Sequence, residues 1–191
     1  MYIPAHFRDD DPRALVVASP LATLVTPTAD GLVANPVPLL LVPDEGEYGV
    51  LYGHVSRANE QWRCVPTGES LAIFVGDNAY ITPSWYATKR ETGKVVPTWN
   101  YLTVHAHGAL EILDDVERVR EIVTRLTTHH EAPRAQPWAV TDAPDDFISL
   151  QLRGIVGLRL VITRIEGKRK WSQNRSEADR AGVLAGLAEN A

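Results

Sequence analysis

Apolar and polar positions alternate along much of the chain. The longest such run is 101–113, YLTVHAHGALEIL, with Leu102, Val104 and Ala106 on one face and Tyr101, Thr103, His105 and His107 on the other. A period of two predicts a half-buried strand. Further strands are predicted at 21–26, 32–42, 49–55, 70–76, 79–83 and 155–167. Pro36 and Pro38 flank Val37, so the strand at 32–42 needs an edge or a bulge there. Short turns at 27–31 and 43–48 join the first three strands into an antiparallel meander. Helical spacing is clearest at 114–131, where Val116, Val119, Ile122, Val123 and Leu126 form one stripe. Asp114 and Glu117 read as its capping box. Shorter helices are predicted after Asp9, Asp10 and Asp11, with Pro12 in the first turn, and at 56–65, at 146–154 with Gly154 as stop, and at 176–191 with Ser176 and Asp179 as capping pair. The stretches 84–100 and 132–145 read as polar connections. No repeat or composition break divides the chain, so one domain over 1–191 is expected, with a C-terminal helical extension from about 168. At least six short strands with inserted helices predict a mainly β, α+β fold: a small antiparallel barrel decorated by helices.

Composition narrows the classes. The 191 residues are 45% apolar and 23% charged, ordinary for a soluble globular protein. No window reaches the run of about 18 apolar residues that a membrane span needs. The start, MYIPAHFRDDDPR, lacks a basic region followed by an apolar stretch, so no signal peptide is read. Cys64 is the single cysteine, which rules out an intrachain disulfide and agrees with a cytoplasmic location. The net charge is −5 and the one dense basic cluster is KRK at 168–170, with Arg175 nearby. Direct DNA binding stays possible, but this charge does not support it.

Three stretches carry candidate chemistry. In YGHVSRANEQW (52–62) a strand runs into Ser56, Arg57 and Asn59. Ser56 capping a helix would leave unpaired N–H groups at a positive dipole end, and Arg57 adds a planar fork of donors: a phosphate cradle. A plain helix cap with a solvated arginine explains the same residues. In KRKWSQNR (168–175), Lys170, Ser172, Gln173, Asn174 and Arg175 gather donors and acceptors that suit the polar edge of a heteroaromatic ring. A polar connecting loop is the alternative. In PTWNYLTVHAHG (97–108), His105 and His107 share a strand face, with His54 elsewhere, but the spacing matches no metal-site pattern and no metal is assigned. Cys64 reads as a small buried hydrophobe. No Gly-rich phosphate loop or nucleophilic serine motif occurs, so any redox or transfer chemistry rests on a cofactor.

The segments MYIPAHF, GHVSRANEQW, YITPSWYATK, VPTWNY, VHAHG, KWSQNR and DRAGVLAGL, in that order, resemble the PaiB-like family of FMN-binding proteins. That family carries the label of negative transcriptional regulators of sporulation and protease synthesis. The resemblance covers nearly the whole chain. It implies a split β-barrel related to the pyridoxamine-phosphate oxidases, a homodimer, and an FMN site at the subunit interface. In that group a strand followed by Ser-Arg-Lys holds the FMN phosphate. Ser56 and Arg57 match it, with Asn59 close by, while Ala58 stands where lysine is common. The preceding strand places Val37, Leu39 and Leu40 along the flavin ring. Trp99, Asn100 and Tyr101 match a family motif with an interface or pocket role. Lys170, Ser172, Gln173 and Asn174 match another, read here as flavin contacts. Three functions follow: a flavin-binding regulator or sensor, a flavin-dependent oxidoreductase of small molecules, or a barrel that has lost flavin and acts through protein contacts. No catalytic residue is assigned.

Overall fold

The structure, a computed structural model, describes residues 1–189. It contains strands β1 (Leu21–Thr28), β2 (Gly31–Pro38), β3 (Leu40–Val42), β4 (Val50–Ser56), β5 (Ser70–Ile81), β6 (Thr98–Leu113) and β7 (Ile155–Lys170). They form one antiparallel sheet in the order β2-β1-β5-β6-β7-β4-β3. Helices α1 (Pro12–Ala18), α2 (Ala87–Glu91), α3 (Val116–Glu131), α4 (Asp145–Arg153) and α5 (Glu177–Glu189) are added around it. This is the expected antiparallel, helix-decorated barrel of mixed α+β class. Among the described residues no helix is long and apolar enough to cross a membrane.

The alternating strands fill the interior as their pattern requires. Leu24, Leu51, Ala72, Phe74, Val104, Ala106, Leu158 and Leu160 are all buried in one core. Helix α1 starts at Pro12, where a missing N–H costs nothing, and the Asp11 carboxylate accepts from the Ala14 amide. Helix α3 turns Val119, Ile122 and Leu126 inward and leaves Val116 exposed.

Several boundaries differ from the sequence expectation. The run 32–42 is two strands with different partners: β2 pairs with β1, and β3 pairs with β4. The chain breaks at Leu39, whose amide donates to the Pro20 carbonyl. The meander is therefore two separate hairpins at opposite edges of the sheet. Proline 36 and 38 sit on the edge strand β2, where an unpaired side tolerates them. The predicted strands at 70–76 and 79–83 form one strand, β5, which ends at Ile81 and has an irregularity between Val75 and Asn78. The cap of α3 is Asp115, which accepts from the Arg118 amide, and not Asp114. Strand β7 runs to Lys170, so the KRK cluster lies on a strand and not in a loop. The terminal helix begins at Glu177; residues 190 and 191 of the predicted helix lie outside the described ones. Ser176 does accept from the Asp179 amide, but the Asp179 carboxylate faces α2 instead, accepting from the amide and hydroxyl of Thr88 at 2.9 Å each.

That contact fixes α5 against the segment 83–88. Ile81, Tyr86 and Val183 form its small core, with Trp85 and Leu187 beside them. The helix approaches so closely that a Cβ on Gly182 would lie 1.9 Å from the Trp85 carbonyl oxygen. Backbone cannot yield there as a flexible side chain would. Gly182→Ala is therefore expected to lower stability by about 1–3 kcal/mol, read as a lower urea midpoint. Leu184→Ala, on the exposed face of the same helix, changes it by no more than about 0.5 kcal/mol.

Candidate functional site

The paired strands β6 and β7 separate the candidate residues into two sets. Ser56 sits opposite Ile155, at the start of β7. Tyr101 sits opposite Lys170, at its end. Ser56, Arg57 and Asn59 thus lie at one end of β7, and Trp99 through Tyr101 with Lys170 through Asn174 lie at the other. At about 3.3 Å per residue, the path along β7 between them is about 50 Å. Val37 and Leu39 are buried as whole residues in the barrel core, and the Leu39 amide is bonded to the Pro20 carbonyl, so in this chain neither is exposed to a ligand. Leu40 is half-buried and packs with Tyr52 against the Leu113, Ile122 and Leu126 cluster.

The first set is organised differently from the expected helix start. No helix begins at Ser56. A single 3-10 turn, Glu60–Arg63, follows Asn59, whose side chain accepts from the Gln61 amide at 2.9 Å. The nearby amides are already paired: Arg57 with the Gly154 carbonyl, Ala58 with Ser56 Oγ, and Asn59 with the Ser56 carbonyl. The backbone cradle read from sequence is therefore not formed. Arg57 donates from Nε to the Arg153 carbonyl at 2.9 Å and from Nη2 to the Ile155 carbonyl at 3.2 Å. Both Nη atoms also engage the Asp114 carboxylate. The hydrogen bonds and charge of Arg57 hold Asp114 below the usual carboxylate range. The spacing of Asp114 suggests a helix cap, but its partner is 57 residues away in sequence, which no local pattern reveals.

Gln61 anchors this turn. Its buried amide donates to the Leu24 carbonyl and Thr26 Oγ1 at 3.0 Å and accepts from Asn35 at 2.9 Å. Asn35 also reaches Asn59 at 3.5 Å. The segment after β4 is thereby tied to β1 and β2. On the outer side of β4, Pro38, His54, Leu126, Thr127, His130 and Trp138 line an open cleft of about 350 Å³ together with Glu131. His54 Nδ1 is buried there without a hydrogen-bond partner, and burial pushes the imidazole below its ordinary value.

The second set is more rigid. Asn100 is fully buried and exchanges hydrogen bonds with Ser172 Oγ at 3.1 and 3.2 Å. Ser172 has φ +62°, a left-handed conformation rare for a residue with a Cβ. Lys170 Nζ donates to Thr98 Oγ1 at 2.6 Å. Gln173 folds back on its own turn: its carbonyl oxygen accepts from the Trp171 amide and its Nε2 donates to the Arg169 carbonyl. Asn174 borders a small cavity with Lys170 and Arg175. Trp99 is half-exposed beside Tyr80, with its indole N–H on Asn78. Tyr101 lies beneath the ammonium groups of Lys168 and Lys170.

Similarity to known proteins bears on these two sets. A sequence model of the family described as "Putative FMN-binding domain" matches residues 1–164. The chain belongs to this family. FMN is the cofactor that the family names, as the resemblance implied. The chain is 31% identical over 191 residues to Protease synthase and sporulation protein PAI 2 of Bacillus subtilis (strain 168), a match covering 98% of this chain and 89% of that protein. It is 34% identical over 167 residues to Uncharacterized protein AN0679 of Emericella nidulans, covering 73% of this chain and 66% of that protein. The chain thus spans just under two thirds of the length of that fungal relative. Among solved structures, the conserved hypothetical protein Rv2991 from Mycobacterium tuberculosis shares the fold with a TM-score of 0.62 at 13% identity, covering 93% and 95% of the two chains.

The depressed histidines of this FMN-binding domain predict a pH dependence. His54, His105 and His107 all sit below the ordinary value of 6.5, burial being the largest cause in each. Such a group takes up a proton in the unfolded chain before it does so in the native one. Its contribution is intact above about pH 6.5 and declines as the pH falls below that toward the native value. The urea midpoint should drop between about pH 7.5 and 5.5, and His54→Gln should make that drop shallower. A midpoint that rises on acidification contradicts this reading.

Proposed function

We propose that the chain is an FMN-binding homodimer in which each flavin is held by two subunits, and that it acts as a flavin-responsive regulator. The carrying observation is the separation of the two polar sets along β7. The two sets stand about 50 Å apart along the strand, which favours a site completed by a second chain over one built from both ends of a single chain. A second copy related by a two-fold axis brings the far set of one subunit to the near set of the other. When bound, FMN supplies a redox-active ring, and the protein supplies binding, orientation and electrostatics.

Arg57 and Ser56 take the phosphate in this reading. The Ser56 hydroxyl is exposed and keeps its own proton to donate. Arg57 grips Asp114, which stands where an anion would stand. An ion pair between exposed side chains is weak, so a phosphate dianion can displace it. Leu40 and the cleft wall around Pro38 and His54 then border the ring, with Val37 and Leu39 packed behind it. Trp99, Asn100, Tyr101, Lys170, Ser172 and Asn174 come from the other subunit. Gln173 acts through the turn it closes, since its amide is already paired within it.

The regulatory part draws on the relative PAI 2, whose name refers to protease synthesis and sporulation. With a net charge of −5, contact through protein partners suits this chain better than contact with DNA. A second reading is favoured by the open cleft beside Pro38, where His54, His130 and Glu131 are groups able to move a proton. A flavin-dependent oxidoreductase of small molecules would use that space. NAD(P)H oxidation by the flavin-loaded protein separates the two.

Flavin absorbance of the purified protein and mass spectrometry of the released ligand test the cofactor. Arg57→Ala should weaken FMN binding by roughly ten- to a hundredfold, measured by fluorescence titration. Asp114→Asn, which removes the competitor, should tighten it about two- to fivefold. Co-expressing Arg57→Ala with Lys170→Ala chains should yield mixed dimers with one restored site of two. Mixed dimers that bind no better than either parent, or a monomer that binds FMN fully, sink the shared site.

A further inference from the structure

Between the start of β6, the end of β7 and Phe7 lies a polar cavity of about 120 Å³. Lys170 and Arg175 both line it, with Thr98, Asn100, Ser172 and Asn174. None of these is acidic. Some arginines of this acidic chain meet carboxylates, as Arg57 meets Asp114 and Arg159 meets Glu111, while exposed ones such as Arg63 and Arg90 face solvent. Among the described residues no carboxylate lies within 4.0 Å of Lys170 or Arg175. Asp179 is near enough to feel the charge of Arg175, but both of its oxygens are bound by Thr88.

The cavity wall is also built at a conformational cost. A non-glycine residue at φ +62° is sparsely populated and persists only where its surroundings enforce it. Here the buried Asn100–Ser172 pair enforces it. Arg175 is stacked 4.8 Å above the Tyr86 ring, and Lys170 is tethered to Thr98. Two unpaired cations are thus held, with little freedom left to lose, around one space. That space is a few water volumes at about 30 Å³ each, too small for a ring system but large enough for one oxyanion.

We infer that this cavity binds a single small oxyanion, the phosphate or carboxylate of a small molecule, between Lys170 and Arg175. A planar guanidinium and a point-charge ammonium are the two donor types suited to such a group. The inference does not depend on where the flavin sits. The anion has two sources of one chemistry: a separate anionic ligand, or the phosphate of FMN itself, in which case Arg57 does not hold that phosphate.

The test uses the full chain and inorganic phosphate. Phosphate should raise the thermal midpoint of the wild type saturably, more than chloride at equal ionic strength. Arg175→Gln and Lys170→Gln should each raise the half-saturating concentration by at least about tenfold, while Lys94→Gln, at an exposed lysine outside both polar sets, leaves it unchanged. If Arg175→Gln does not fold, Lys170→Gln decides alone. Competition of phosphate with FMN but not with riboflavin assigns the site to the flavin phosphate. Phosphate binding that leaves FMN affinity unchanged assigns it to a separate ligand. Both outcomes support an oxyanion site. No saturable response, an equal response to chloride, or a response that survives in the folded variants overturns it. Loss of the phosphate response with FMN binding through Arg57 intact would refute this site alone, whereas failure of the mixed dimers would refute the shared flavin site alone.

Discussion

The pairing of β6 with β7 is the constraint on which the other features depend. The two strands stay in antiparallel register from Tyr101 and Lys170 to Leu113 and Gly157, with one shift at His107–Gly108. Gly108 permits that shift: a Cβ there would meet the Val161 carbonyl oxygen at 2.0 Å. Such an irregularity lets a long ribbon bend into a barrel wall without losing its ladder. β5 attaches to one side of the ribbon and β4 to the other, so the sheet order follows from it. So does the distance between the two polar sets, because each is fixed to one end of the same rigid pair.

Much of this was legible in the sequence, and the errors have local causes. Alternation at 101–113 and helical spacing at 114–131 each report burial on one face, so both elements were found. The run 32–42 looks like one strand because hydrophobicity does not change at Leu39; what changes is the partner, and pairing partners are not encoded locally. The irregularity in β5 was read as a gap between strands for the same reason. At Ser56 the local residues carry a common helix-capping pattern. The chain makes a turn there instead, because Gln61 is drawn into a buried polar network with Asn35, Leu24 and Thr26. Tertiary hydrogen bonds outweighed a weak local preference.

The candidate site shows the same division. Motif order identified the family and placed all thirteen binding candidates on the chain. It could not say which cations are free. Arg57 and Arg175 are equivalent as letters, each the charged residue of a short polar segment. Their environments are opposite: Arg57 meets a carboxylate supplied from the start of α3, while Arg175 stacks on an aromatic ring with no acid beside it. Charge neutralisation is set by residues distant in sequence, so it becomes readable only once the fold is known.

Rigidity differs between the two ends in a way that suits different tasks. At the Arg57 end, contacts are exposed and exchangeable, and a carboxylate can leave when a stronger anion arrives. At the Lys170 end, the buried pairing of the Asn100 amide with the Ser172 hydroxyl, the left-handed backbone of Ser172 and the α5 contact with Trp85 hold the donors in place before anything binds. Preorganised donors lose little entropy on binding and so favour affinity, whereas an occupied arginine makes binding conditional on displacing its partner. A two-fold dimer would place one end of each kind beside every flavin. Binding at the Arg57 end would then be sensitive to whatever competes for that arginine.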